Sequence, residues 1–186
     1  MIRLTFVCTA STAATRRAAF PLDEPLDKFG AAEARALSLI PAFRTPPQHA
    51  LTSPALRARQ TAELLRVDAT PDAALRDLDY GRWSGKTMAE IGAAEQDAVA
   101  AWLSDPSAAP HGGESIAALF DRVRGFLGGL GDGTTVAVTH VPVIRAAVAI
   151  VLDAPLSSFW KIDIAPLARA ALHGEAGRWR LRSISD

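Results

Sequence analysis

The sequence predicts an α/β fold, a three-layer α/β/α sandwich around a mostly parallel sheet, and three observations lead there. Ile2–Cys8 and Thr134–Thr139 are short, apolar, β-rich runs that stop at small polar corners. Ala50–Thr52 runs directly into Ser53-Pro54, and a helical pattern follows. Strands alternating with helices build parallel sheets covered on both faces, and such sheets collect ligands at the carboxyl ends of their strands.

Each element has its own justification. Ile2–Cys8 reads as a buried first strand, ending in the loop Thr9-Ala-Ser-Thr12. Ala34, Leu37 and Ile40 have helical spacing within a helix from Ala31 to Ile40 that Pro41 ends, and Arg44 to His49 is a surface turn. Ser53 is placed as the N-cap of the next helix, with Pro54 at its first position and Leu56, Ala62 and Leu65 on one face. Leu75 to Gly85 has no clear period, and Thr87 to Leu103 fits two short helices. Glu114 to Leu130 is a long amphipathic helix entered from Gly112-Gly113. Thr134–Thr139 is a second buried strand, and Val143 to Leu152 is a largely buried helix with Pro142 near its start. Trp160 to Ile164, Leu167 to His173 and Arg178 to Ile184 read as closing strands, the last two joined in a hairpin across Gly174-Glu-Ala-Gly177. One domain over residues 1–186 is expected, with residues 87–110 inserted as a helical lid.

Charge and composition narrow the partners. Twenty Lys+Arg balance twenty Asp+Glu, so no global field favours nucleic acid or an anionic membrane, and any anion site must be local. Cys8 is the only cysteine and the four histidines are widely separated, which gives neither an internal disulfide nor zinc-type spacing. No metal or organic cofactor is implied. Apolar runs are too short for a signal peptide or a bilayer span, so a cytoplasmic location is expected. Trp83, Trp102, Trp160 and Trp179 read as packing groups, and His49 and His173 as surface residues.

At the strand ends the rule selects Cys8 and Thr9, Arg57 on the Ser53 helix, and His140 at another helix start. Two helix N-termini, one Arg and one His suit a phosphate.

Four ordered blocks carry a resemblance: Ser53-Pro-Ala-Leu-Arg-Ala-Arg-Gln-Thr-Ala-Glu63, Leu78-Asp-Tyr-Gly-Arg-Trp-Ser-Gly85, His111-Gly-Gly-Glu-Ser115, and Val136-Ala-Val-Thr-His140 with Val143-Ile-Arg145. Together they resemble the histidine phosphatase superfamily, in its phosphoglycerate-mutase-like branch. The resemblance implies phosphoryl transfer through a nucleophilic His in an Arg-His-Gly motif after the first strand. Here that motif reads Cys8-Thr9-Ala10, so Cys8 stands at the Arg position and Thr9 at the nucleophile position. Arg57 matches the second phosphate-binding Arg, His140 the second His, and Asp77 the place of a Glu proton donor. Val141-Pro142 stands where small glycines are usual, Ser84 where Trp-Glu-Gly is usual, and Pro142 removes one N–H from that helix start.

The expected function is thus a catalytically impaired module that binds a small phosphorylated molecule or inorganic phosphate through Arg57 and His140. The alternative is a phosphomonoesterase using a different nucleophile or an activated water, with Asp77 as acid. Each residue also has a structural reading: Arg57 as a helix-surface arginine, His140 as a hydrogen-bonded core histidine, Asp77 as a turn carboxylate, Cys8 as an inert buried thiol. His111 lies either over the pocket mouth or in an exposed loop. A protein partner stays open.

Overall fold

The structure, a computed structural model, describes residues 1–39, 47–175 and 177–185. Its centre is a six-stranded sheet in the order β3-β2-β4-β1-β5-β6. The strands are β1 (Ile2–Cys8), β2 (His49–Thr52), β3 (Thr70–Pro71), β4 (Gly133–Thr139), β5 (Arg169–Glu175) and β6 (Arg178–Ser185). β1 to β4 run parallel to one another, while β5 is antiparallel to both β1 and β6. The helices are α1 (Ala13–Arg16), α2 (Lys28–Leu37), α3 (Leu56–Leu64), α4 (Met88–Ala94), α5 (Gln96–Ser104), α6 (Ile116–Gly129) and α7 (Val141–Val151).

Side-chain alternation along the central strands explains the layers. Leu4, Phe6 and Cys8 of β1, with Ala137 of β4, join the large core made with Leu119, Val123 and Phe126 of α6 and Val143, Ala147 and Val148 of α7. Val7 and Val138 point the other way, into a smaller cluster with Ala58 and Ala62 of α3 and with Leu65. The carboxyl-terminal halves of β1 and β4 are therefore buried on both faces, which accounts for their apolar residues there.

Several expectations about boundaries need correction. α2 begins at Lys28, because the Asp27 carboxylate caps it by accepting from Phe29 and Gly30 N–H. Its expected end at Ile40, and residues 44–46 of the surface turn after it, lie outside the described residues, and the turn's expected last residue, His49, already belongs to β2. α3 begins at Leu56 with Ala55 as its N-cap, not Ser53, and no side chain caps it. The segment around Trp160 is a 3₁₀ helix, Leu156–Lys161, not a strand. Phe159 packs on Phe120 while Trp160 packs edge-on against Trp102, contacts that a strand's strict alternation does not require. β5 starts at Arg169 because Leu167 has a left-handed backbone (φ 64°). The two short helices across 87–103 are present as α4 and α5.

Among the described residues, no helix is long and apolar enough to cross a membrane, and no cluster of His, Cys, Asp and Glu could hold a metal ion.

Candidate functional site

The carboxyl ends of β1, β2 and β4 meet, as the parallel topology requires. Ser53 N–H donates to the Val138 carbonyl and Thr9 N–H to the Thr139 carbonyl, so the loops leaving β2 and β1 are both tied to β4 just before His140. Arg57, in the first turn of α3, is 6% exposed and reaches Asp77. Its Nη2 donates to Asp77 Oδ2 at 2.7 Å and its Nη1 to the Leu22 carbonyl at 2.7 Å. A guanidinium has five N–H donors, so Arg57 keeps capacity for a further acceptor.

His140 is 2% exposed. Its Nε2 lies 2.7 Å from Ser53 Oγ, and its Nδ1 lies 3.5 Å from Asp77 Oδ2. Ser53 Oγ already accepts from the Ala55 N–H at 3.2 Å. The ionised Asp77 carboxylate can only accept, so it favours the imidazole proton on Nδ1 and leaves Nε2 to accept from the Ser53 hydroxyl. Burial pushes the His140 pKa down to about 4, and it outweighs the opposing Asp77 charge, so the ring is a neutral N–H donor at neutral pH.

Asp77 therefore bridges Arg57 and His140. The loop that presents it is fixed from below. Arg122 of α6 forms a 2.6 Å ion pair with Glu114 and donates to the carbonyls of Ala74 (2.7 Å) and Arg76 (3.0 Å). Two glycines let the neighbouring loops touch: a Cβ on Gly113 would lie 2.1 Å from the Asp79 carbonyl, and one on Gly81 (φ 48°) 2.2 Å from that of His111. This contact is the physical content of the Asp-Tyr-Gly and His-Gly-Gly-Glu blocks.

Arg57, Asp77 and Ser53 line an open cavity of about 450 Å³ together with Asp23, Arg76 and Asp79. The two helix N-termini expected to face an anion are changed from that expectation. At α3 the Leu56 N–H is already taken by the Asp23 carboxylate at 2.7 Å. At α7, Pro142 sits in the first turn and supplies no N–H.

Cys8 and Thr9 lie at the end of β1, where the sequence places them. Cys8 is 1% exposed and points into the core beside Phe6. Burial, reinforced by the Asp77 charge, pushes its thiol up to about 12. Thr9 is 8% exposed, and its side chain interacts with that thiol.

His111 corresponds to neither position expected for it. It is 1% exposed, stands edge-on to Trp83 and accepts the Gly113 N–H at Nδ1. His49 is exposed as expected, whereas His173 is partly buried. Trp83, Trp102 and Trp160 do pack, in one aromatic cluster, and Trp179 covers Gly174 on the β5-β6 hairpin. Sequence reasoning missed Ser53 as the partner of His140. Its place at the carboxyl end of β2 was the available signal.

Known proteins resemble this chain in sequence and fold. The model of the histidine phosphatase superfamily (branch 1) matches residues 4–186. Glucosyl-3-phosphoglycerate phosphatase of Mycolicibacterium vanbaalenii is 32% identical over 153 residues, covering 74% of this chain and 68% of that protein. Phosphoserine phosphatase 1 of Hydrogenobacter thermophilus is 28% identical over 128 residues, covering 66% of this chain and 61% of that protein. A bifunctional protein of Mycobacterium tuberculosis is 31% identical over 135 residues, which span only 37% of its length. Among solved structures, a mycobacterial glucosyl-3-phosphoglycerate phosphatase in complex with VO3 superposes with a TM-score of 0.84 at 29% identity, covering 97% of this chain and 96% of that one. The chain belongs to the histidine phosphatase superfamily, branch 1.

Proposed function

We propose that this protein binds phosphate or a small phosphate ester at Arg57 and His140 and is catalytically impaired along the phosphohistidine route. The observation that carries the reading is the composition of the end of β1. The two positions matched to the family's Arg and nucleophilic His hold a core-facing thiol and a largely buried hydroxyl, Cys8 and Thr9. Imidazole attacks phosphorus at neutral pH because much of it is unprotonated, whereas a Thr hydroxyl needs an adjacent base. No such base is hydrogen-bonded to Thr9 among the described residues, and His140 Nε2 is engaged by Ser53. A thiol held near 12 supplies almost no thiolate to take over.

Receptor chemistry remains. Arg57 offers unused N–H groups and His140 offers Nδ1–H, with Asp77 between them in the place matched to the family's acid. Support comes from the relatives, since a similar mycobacterial phosphatase has been solved with inorganic phosphate, at 28% identity and a TM-score of 0.79. A calorimetric titration with inorganic phosphate tests the reading. Saturable binding that Arg57→Gln weakens by roughly 10-fold or more, the value of one or two charge-assisted bonds, supports it. Equal binding by both proteins, or none by the wild type, overturns it.

A further inference from the structure

We propose that a second cavity beside the Arg57 site receives the organic part of the ligand, and that this part is a flat aromatic group carrying a hydrogen-bond acceptor. The proposal rests on the phosphate-site reading and names the ligand class that the site would take. The cavity measures about 180 Å³, the space for one or two fused rings. Its walls include Phe20, Tyr80, Trp102, Phe159 and Trp160, with Arg145 as the cation at its edge.

Three observations join it to the phosphate site. Leu78 and Tyr80 line both cavities, so the two adjoin across these residues. Val141 and Pro142, the first residues of α7 after His140, form another wall, so this cavity lies at the start of the helix that follows His140. Both cavities also feel the same charges, for Asp77 and Arg145 act on Tyr80, whose hydroxyl is held above its ordinary pKa chiefly by burial.

The lining chemistry selects the ligand class. Trp102 is 3% exposed, and its indole Nε1–H has no hydrogen-bond partner among the described residues. A buried donor left unmade is costly, and a ligand acceptor that reaches it from the cavity would satisfy it. Trp102 is fixed edge-on to Trp83 at 5.5 Å and to Trp160 at 4.7 Å between centroids, and the partly exposed rings of Phe20, Tyr80 and Trp160 are the ones left to meet a further ring. The sugar hydroxyls of a polyol phosphate would meet only apolar carbon on most sides of this cavity. An aromatic ester would bury apolar surface and could also place its ring near the Arg145 guanidinium.

Binding of three probes separates the two layers of the argument: inorganic phosphate, glycerol phosphate and 1-naphthyl phosphate, with 1-naphthol as the phosphate-free control. The proposal expects 1-naphthyl phosphate to bind roughly 10- to 100-fold tighter than glycerol phosphate, the value of burying one aromatic ring. Met88→Trp, at the exposed rim of the cavity, should cut that advantage to about 2-fold or less while leaving inorganic phosphate binding unchanged. Trp102→Phe keeps a ring in place, removes the N–H and should weaken a quinoline phosphate ester, whose ring nitrogen is an acceptor, more than the naphthyl ester. Equal binding of the two esters, alongside intact phosphate binding, overturns the subsite and spares the phosphate site. Saturable 1-naphthol binding that Met88→Trp abolishes, with no phosphate binding, supports the aromatic cavity and overturns the phosphate site.

Discussion

Replacing Asp77 with Asn should turn a weak anion site into a stronger one. Asp77 Oδ2 lies 2.7 Å from Arg57 Nη2 and 3.5 Å from His140 Nδ1, so the carboxylate occupies the region an incoming phosphoryl oxygen must share. Two unit charges about 5 Å apart repel by about 3 kcal/mol at an effective dielectric constant of about 20. The site is open to solvent on one side, and about half of that repulsion is a realistic gain. The Asp77→Asn variant keeps an amide oxygen to accept from Arg57, so the guanidinium stays placed while the repulsion disappears. Inorganic phosphate should bind roughly 10- to 100-fold tighter at pH 7.5 and low salt, as read by isothermal titration calorimetry. A parallel melting curve should show a loss of about 1–3 kcal/mol, because a charged acceptor becomes a neutral one. Unchanged or weaker phosphate binding in a folded variant would refute the view that Asp77 competes with the ligand.

Other consequences follow from burial and pairing. His140 titrates near 6.5 when unfolded but about 4 in the fold, so the unfolded chain takes up its proton first. Stability from this group is complete above about pH 6.5 and erodes by about 3 kcal/mol as pH falls toward 4. Urea unfolding at pH 7.5 and 4.5 should therefore show a smaller pH dependence for His140→Gln than for the wild type, and equal dependence would contradict the buried neutral ring. Cys8 in the native protein should react with iodoacetamide at pH 8 at least about 1000-fold more slowly than in urea, since its thiolate is scarce and enclosed. Arg122→Leu should cost about 2–4 kcal/mol, measured by chemical denaturation, because it leaves the Ala74 and Arg76 carbonyls without their donor and Glu114 with Arg76 as its remaining cation. Thr9→His places imidazole at the end of β1 and should raise aryl phosphatase turnover at least about 10-fold; no gain would mean that the receptor groups are not aimed at that position.

Much of the fold was legible because its signals are local and repeated. The apolar runs of β1 and β4, each ending in a polar corner, specify buried parallel strands, and Pro142 marks the start of α7. Arg57 and His140 could be found by the strand-end rule alone. What escaped depends on distant partners. Ser53 has the sequence context of an N-cap, yet its hydroxyl is drawn to His140, 87 residues away, and α3 starts three residues later. His111 sits in a glycine-rich segment that suggests exposure, but the contact of Gly81 and Gly113 with the opposite loops buries it among tryptophans. Likewise Asp23 has no periodicity to mark it, and only the fold shows it covering the Leu56 N–H.

The central claim, a phosphate receptor without its attacking group, is tested most directly by phosphate release from 1-naphthyl phosphate at saturating concentration, wild type beside His140→Ala. The account predicts that both proteins release phosphate at the same near-background rate, at least about 1000-fold below a family enzyme with its nucleophile in place. Release by the wild type that collapses in His140→Ala would contradict it, and would make this chain a working phosphomonoesterase with a nucleophile other than histidine.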